Sequence, residues 1–71
     1  MGDQVDQLEN RLREERTRRN LTQAQLAELV GVSRKTINTV ENGVFIPSTV
    51  LALRLARALR TTVESLFQLR D

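Results

Sequence analysis

The chain contains neither cysteine nor histidine, and each absence removes a class of chemistry. Without cysteine, its 71 residues can form no disulfide bond and offer no thiol nucleophile. Without histidine the chain lacks the usual general base, and without either residue it lacks the common zinc ligands. We therefore expect no bound metal, no cofactor and no enzymatic activity. The cysteine-free composition also fits a reducing cytoplasm.

Aromatic residues, glycine and long apolar runs are scarce as well. Phe45 and Phe67 are the only aromatic residues, too few for a protein that stacks the bases of single strands. Three glycines do not supply a glycine-rich phosphate loop. No apolar run approaches the ~20 residues of a membrane-spanning helix, and Asp3, Asp6 and Glu9 do not fit a signal peptide. We expect a cytoplasmic protein that does not associate with membranes.

The charge of the chain is small but unevenly distributed. Eleven basic and nine acidic residues give a net charge of +2, which by itself is weak evidence for a nucleic-acid partner. The basic residues, however, fall mainly in three clusters, within residues 11–19, 34–35 and 54–60. The length allows one small domain, which buries only ~60% of its unfolded surface and therefore depends on good packing.

Apolar residues at helical spacing predict five short helices, with no strand pattern. Helix 1 is predicted to begin at Asp3 or Asp6 and to end at Asn20, because asparagine tolerates the left-handed conformation that closes a helix. The predicted helix 1 has one apolar stripe: Val5, Leu8 and Leu12.

The four later helices have recognisable ends. Thr22 and Gln25 form a capping box at the start of helix 2, and Gly31 ends that helix. The predicted caps of helices 3, 4 and 5 are Ser33, Ser48 and Thr62. Asn42 and Gly43 end helix 3. The side chains predicted to face inward are Leu26, Ala27, Leu29 and Val30; Ile37, Val40 and Val44; Leu51, Leu55, Ala58 and Leu59; and Val63, Leu66 and Phe67.

Helices 2 and 3 together indicate a DNA reader. Gly31 allows a sharp turn between them, and helix 3 presents polar groups that suit the major groove. Arg34 or Lys35 can donate to the O6 and N7 acceptors of guanine, and Asn38 can pair with adenine. Thr39 can contact a thymine methyl group.

Two further residues are placed for the DNA backbone. Thr22 and Gln23 stand at the positive N-terminus of helix 2, a favourable position for a phosphate. The alternative for Arg34 and Lys35 is an ordinary solvated helix face, which the helix-turn-helix context makes the weaker interpretation.

The segment resembles the helix-turn-helix of the Cro/C1-type (XRE) transcriptional regulators. The resemblance covers residues 11–69, nearly the whole chain. The matching motifs are L-T-Q-x-x-L-A at 21–27, V-G-V-S at 30–33, T-I-N at 36–38, V-E-N-G at 40–43, P-S at 47–48, L-A-L-x-L-A at 51–56 and L-F at 66–67.

This resemblance implies an all-α, lambda-repressor-like fold of five helices that binds double-stranded DNA at an inverted-repeat operator as a homodimer. Gln23 matches a phosphate-binding glutamine, and Asn42 matches a backbone contact just after helix 3. The matching base-reading positions are Ser33, Arg34, Lys35 and Thr39. Such a protein would be prokaryotic or from a phage, and nucleoid-associated when bound.

The chain departs from the family pattern at two places. Many members have glycine after helix 4, where this chain has Arg60. Residues 1–10 lie outside the family core and are expected to be an N-terminal extension, either disordered or the helical start of helix 1. Residues 11–71 are then the DNA-binding domain.

The resemblance also predicts an ion pair between Arg16 and Glu41, which would tie helix 1 to the end of helix 3. Periodicity alone would equally allow Glu15 or Arg19. Other residues are candidates for the dimer interface because they are apolar but lie off the main stripes: Val50, Leu53 and Leu69.

Three functions remain open on the sequence alone. The first is a transcriptional regulator, most simply a repressor. The second is an antitoxin, whose N-terminal extension would bind a toxin as its protein partner while helix 3 binds DNA. The third is a helical interaction module that has lost DNA binding.

Overall fold

The computed structural model describes residues 7–70 of the chain. Five helices form its body, as predicted, and two short strands lie at its ends. In chain order the elements are β1 (Gln7–Asn10), α1 (Leu12–Arg18), α2 (Gln23–Val30), α3 (Arg34–Glu41), α4 (Thr49–Ala58), α5 (Val63–Leu66) and β2 (Phe67–Arg70). None of the helices among these residues is long and apolar enough to cross a membrane.

The four predicted helix caps are confirmed. The side-chain oxygens of Thr22, Ser33, Ser48 and Thr62 each accept a hydrogen bond from the backbone N–H three residues later. At α2 the capping box is complete, because the Gln25 side chain accepts in return from the Thr22 backbone N–H at 2.8 Å. Each cap satisfies a donor that the helix itself leaves free.

Helices α1 to α4 all end in the same way. A residue with positive φ follows each helix, and the next N–H donates to the carbonyl oxygen five residues before it. The positive-φ residues are Asn20, Gly31, Gly43 and Arg60. The left-handed conformations expected at Asn20 and Gly31 are therefore confirmed. Arg60 adopts φ 56° at the position where many family members have glycine, so the chain keeps the turn at the cost of some backbone strain.

The core is a single apolar cluster drawn from all five helices. Its most completely buried large side chains are Leu12, Leu26, Ile37, Val40, Leu55, Leu59 and Leu66. Two residues expected to face inward do not. Leu29 is 61% exposed because it lies beyond the edge of the α2 stripe, and Val44 is 77% exposed because α3 has already ended. The left-handed turn at Gly43 breaks the periodicity before Val44 is reached.

The prediction of no strand was wrong. β1 pairs antiparallel with β2, with Leu8 opposite Leu69 and Asn10 opposite Phe67. Phe67 consequently belongs to a strand and not to helix 5. Each strand has only four residues, so neither forms a readable pattern alone, and each depends on the other for its hydrogen bonds.

The expected start of helix 1 was wrong for the same reason. Residues 7–10 form β1, and α1 begins at Leu12, whose N–H donates to the Asn10 side-chain oxygen at 2.9 Å. The Arg11 N–H donates to the Leu66 carbonyl at 2.8 Å, which fixes the strand against α5. Leu8 is therefore in the sheet and not on a helical stripe. Asp3, Val5 and Asp6 lie outside the described residues.

Candidate nucleic-acid interface

The α2–turn–α3 unit presents α3 on the outside of the molecule. Ala27 and Val30 on α2 and Ile37 and Val40 on α3 are all buried in the shared core. Ala27 is small enough for the two helices to approach closely. Gly31, at φ 77°, makes the turn, and Ser33 opens α3. The opposite face of α3 is left to the solvent.

The predicted base-reading residues differ in solvent exposure and in whether their side chains already have hydrogen-bond partners. Ser33, Arg34, Lys35 and Asn38 are exposed, whereas Thr39 is half-buried. The Ser33 hydroxyl caps α3 and lies 3.0 Å from the Thr36 hydroxyl. The Thr39 hydroxyl donates to the Thr36 carbonyl at 2.9 Å. Arg34 and Lys35 are therefore the long cationic side chains that reach out from this face.

The start of α2 and the exposed face of α3 border a common groove. It has a volume of about 300 Å³ and is lined by Gln23, Arg34, Lys35 and Asn38. The structure thus brings together four of the residues that the sequence assigned to DNA. Thr22 stands at the same end of α2, and Asn42 lies at the far end of α3, where it closes the helix.

The side chain of Gln23 is turned toward the protein. Its Nε2 donates to Asn38 Oδ1 at 3.3 Å and to Glu41 Oε1 at 3.1 Å. Asn38 Oδ1 also accepts from Asn42 Nδ2 at 3.4 Å. Gln23 was expected to hold a phosphate, but in this arrangement both protons of its amide are engaged within the protein.

Glu41 is the centre of the polar network beneath this face. Its side chain is fully buried, and it accepts from Arg16 Nε at 2.5 Å, Arg16 Nη2 at 3.1 Å and Arg13 Nε at 3.3 Å. Burial by itself raises the pKa of the Glu41 carboxyl. The hydrogen bonds from Arg16, Gln23 and Arg13 outweigh burial and hold that pKa below its ordinary value of 4.5. Glu41 is therefore ionised at neutral pH.

Sequence reasoning missed one member of this network, Arg13, and a bond beside it, from Asn10 to the end of α3. Arg13 Nη2 donates to Asn42 Oδ1 at 2.9 Å, and Asn10 Nδ2 donates to the Val40 carbonyl at 2.6 Å. Arg13 had a usable signal, because it stands three residues before Arg16 and so shares its face of α1. Asn10 had none, since its contact depends on the strand that the sequence did not reveal.

The candidate dimer residues lie away from this face. Val50, Leu53 and Leu69 are all more than half exposed. Leu53 borders an apolar groove of about 370 Å³ whose other main walls are Leu8, Ile46, Pro47, Val63 and Phe67. Val50 and Leu69 do not line that groove. Within residues 7–70, no three acidic side chains gather as a metal site would require.

Comparison with known proteins agrees with this geometry. The helix-turn-helix family matches residues 12–66, which is most of the chain and includes all five helices. The chain belongs to this family of Cro/C1-type (XRE) regulators. It is a DNA-binding transcriptional regulator.

The relatives of this regulator are named as transcriptional regulators. It is 51% identical over 61 residues to an uncharacterised helix-turn-helix regulator of Methanothermobacter thermautotrophicus, an alignment that covers 84% of this chain and 88% of the relative. It is 36% identical over 64 residues to the uncharacterised regulator YgzD of Bacillus subtilis, covering 90% and 97% of the two chains. The antitoxin alternative gains no support from these relatives.

Solved structures show the same fold. The restriction-modification controller protein C.AhdI from Aeromonas hydrophila is 42% identical, with a TM-score of 0.73 over 76% of this chain and 82% of that one. The clp gene regulator ClgR from Corynebacterium glutamicum is 30% identical, with a TM-score of 0.73 over 76% of this chain and 57% of that one. The lambda-repressor-like architecture expected from the sequence is therefore confirmed.

Proposed function

We propose that this regulator is a sequence-specific repressor that places α3 in the major groove of double-stranded DNA. The observation that carries the proposal is the groove shared by Gln23, Arg34, Lys35 and Asn38. It puts an exposed amide beside two exposed cationic side chains that have no ion-pair partner within residues 7–70. Repression requires only that the protein occupies a promoter, whereas activation needs a further contact with the polymerase. The simpler requirement favours a repressor.

Base reading is assigned to the exposed side chains of α3. Arg34 and Lys35 are donors without acceptor capacity, and guanine offers two acceptors, O6 and N7, in the major groove. Ser33 and Thr39 lie at the margins of the same face and contribute a hydroxyl and a methyl group. Their hydroxyls already have partners in the protein, so their contribution to base choice is smaller.

Phosphate binding is assigned to the start of α2 and the end of α3. The first N–H groups of a helix have no acceptor within the helix. The Thr22 hydroxyl accepts a hydrogen bond from the Gln25 N–H. Among residues 7–70, the N–H groups of Gln23 and Ala24 have no hydrogen-bond acceptor. These two groups, with the positive end of the α2 dipole, suit a phosphate. A second phosphate is assigned to Asn42, just beyond α3, as the family resemblance implies.

We infer a homodimer that binds an inverted repeat. One recognition helix reads only a few base pairs, and two copies related by a two-fold axis read half-sites ~34 Å apart on one side of the DNA. Val50, Leu53 and Leu69 supply exposed apolar area away from the DNA face. The apolar groove beside Leu53 offers a concave surface that a second copy can fill.

The experiment is selection of bound duplexes from a random library, followed by titration of the selected site and of a scrambled duplex at several salt concentrations. Each phosphate neutralised should lower log affinity by about 0.9 per unit of log salt. We expect a selected site with an inverted repeat and a linear salt dependence on both duplexes. Binding that yields no consensus, or that is insensitive to salt, would contradict the proposal.

A further inference from the structure

The amide of Asn38 is held in one orientation by two neighbours. Its Oδ1 accepts from Gln23 Nε2 at 3.3 Å and from Asn42 Nδ2 at 3.4 Å. A carbonyl oxygen has two lone pairs, so these two bonds occupy its acceptor capacity. Asn38 is exposed, and its Nδ2 group has no hydrogen-bond partner among residues 7–70.

The charged groups at the two ends of this chain of hydrogen bonds determine which amide atoms donate and which accept. Glu41 is ionised and can only accept, so Gln23 must turn its Nε2 toward Glu41. Arg13 can only donate, so Asn42 must turn its Oδ1 toward Arg13 and its Nδ2 toward Asn38. Because neither charged group can exchange donor for acceptor, Gln23, Asn42 and Asn38 cannot all flip without losing these bonds.

We propose that Gln23 is a positioning residue that makes Asn38 a donor-only reader and thereby turns its preference from adenine to guanine. The proposal rests on the placement of α3 in the major groove. A free asparagine prefers adenine because it can accept from N6 and donate to N7 at the same time. With its oxygen occupied, Asn38 can only donate, and guanine is the base with two acceptors in this groove.

This role differs from that of a side chain that binds phosphate. Both protons of the Gln23 amide are used by Asn38 and Glu41, so a phosphate could take one only by breaking a bond inside the protein. The backbone N–H of Gln23 remains available for phosphate. The residue thus acts on the DNA backbone through its main chain and on base choice through its side chain.

The test compares base preference in matched variants on one duplex series. The base pair that Asn38 reads is first located as the position where Asn38→Ala loses discrimination in the half-site selected by the wild type. That base pair is then made G·C or A·T, with the rest of the duplex unchanged. We expect the wild type to bind the G·C duplex about fivefold more tightly, the effect of roughly one hydrogen bond.

Two substitutions at Gln23 distinguish a residue that positions Asn38 from one whose side chain binds phosphate. Gln23→Ala leaves the bond from Asn42 in place but frees one lone pair of Asn38 Oδ1, which can then accept from adenine N6. The preference should therefore shift by about fivefold toward A·T. Gln23→Lys keeps a donor beside Asn38 and Glu41 and should retain the wild-type preference for G·C. Thermal melting of each variant confirms that it is folded under the binding conditions.

Several results would overturn the proposal. A Gln23→Ala variant that binds the two duplexes more weakly by an equal factor would show a phosphate-binding side chain instead. A wild-type preference for A·T, or an Asn38→Ala variant without altered discrimination at any position, would also overturn it. All three results leave base reading by Arg34 intact, whereas failure of the proposed function itself would appear as a wild type that selects no consensus.

Discussion

Arg16 and Glu41 form a bidentate pair that is almost completely withdrawn from solvent. Arg16 Nε and Nη2 bind the two carboxylate oxygens, and Arg16 Nη1 donates to the Leu21 carbonyl at 2.8 Å. The Arg16 side chain is 11% exposed and that of Glu41 is 0% exposed. A pair in this environment does not necessarily stabilise the fold overall, but each partner makes the burial of the other tolerable.

Removal of one partner should therefore cost much more than removal of both. We expect Arg16→Met or Glu41→Leu to lower the free energy of unfolding by about 3–5 kcal/mol. Glu41→Leu leaves the Arg16 charge without a carboxylate, and Arg16→Met leaves the buried Glu41 carboxylate with only the longer ion pair to the exposed Arg13. The double variant should recover much of that loss. Urea unfolding of the four proteins measures the coupling.

The matched control for this cycle is Arg18→Met. Arg18 also pairs with a carboxylate, that of Glu15 at 3.5 Å, but it is 73% exposed. Its loss should change stability by less than about 0.5 kcal/mol. If the Arg16 and Glu41 changes were simply additive, the pair would behave like this surface contact.

Acid should weaken the fold through Glu41. Its pKa in the folded protein is lowered from 4.5, so its contribution to stability is complete above that value and is lost as the pH falls through the folded-state pKa. We expect the urea midpoint of the wild type to fall between about pH 6 and about pH 3 more steeply than that of Glu41→Gln. Glu28→Gln, changed at an exposed position on α2, should follow the wild type. Parallel curves for wild type and Glu41→Gln would exclude Glu41 as the source.

Sequence selectivity should depend on Arg34 and Lys35. Each base-edge contact contributes about 1–3 kcal/mol of discrimination, so Arg34→Ala or Lys35→Ala should bring the affinity for the selected site closer to that for scrambled DNA. Arg57→Ala removes an exposed charge from α4 and should leave the ratio of the two affinities unchanged. Full selectivity in both α3 variants would mean that another element reads the bases.

Replacing Arg60 with glycine should stabilise the fold. Its φ of 56° is a left-handed conformation that costs a non-glycine residue about 1–2 kcal/mol, and its side chain is exposed. Allowing for the greater freedom of glycine in the unfolded chain, we expect Arg60→Gly to raise the melting temperature by about 4–8 °C. Asn20, at φ 59°, is the control, because asparagine tolerates this region and Asn20→Gly should have little effect. No gain at Arg60 would mean that its side chain offsets the strain.

Self-association should depend on Leu53. Placing a charge beside the apolar groove disfavours its burial by a second copy, so Leu53→Asp should shift the mass measured by sedimentation toward one chain. Leu29→Asp is the control, since Leu29 is similarly exposed but lies on α2 beside Arg54 and Arg57. A wild type that is already monomeric at micromolar concentration and on DNA would rule out the dimer.

Local rules explain which parts of this fold were predictable. The caps at Thr22, Ser33, Ser48 and Thr62 depend on residues at most three positions away, and the structure confirms all of them. Leu29 and Val44 were wrongly predicted to face inward. A periodic pattern does not show the point where an apolar stripe stops, as at Leu29, or where a helix ends, as before Val44. The sheet could not be predicted, because β1 and β2 form their hydrogen bonds with each other and lie at opposite ends of the described sequence.

The candidate site shows the same division. Residue types and helical spacing placed Arg34, Lys35 and Asn38 on one exposed face, because that face follows from the helix alone. The side-chain bonds of Gln23 could not be inferred, because they depend on how α2 and α3 approach one another. The direction of the Asn38 amide follows from those bonds. The sequence alone therefore suggested adenine for Asn38, whereas the role that we propose for Gln23 gives it a preference for guanine.

The pairing of β1 with β2 has a consequence for the order in which the protein folds. Gln7 pairs with Arg70 and Leu8 with Leu69, so the sheet closes the longest loop among the described elements. Local contacts form sooner than distant ones, so α1 to α4 can assemble before β1 and β2 pair. The β1–β2 sheet is then the last element to form. In hydrogen-exchange measurements its backbone amides should be the first to lose protection.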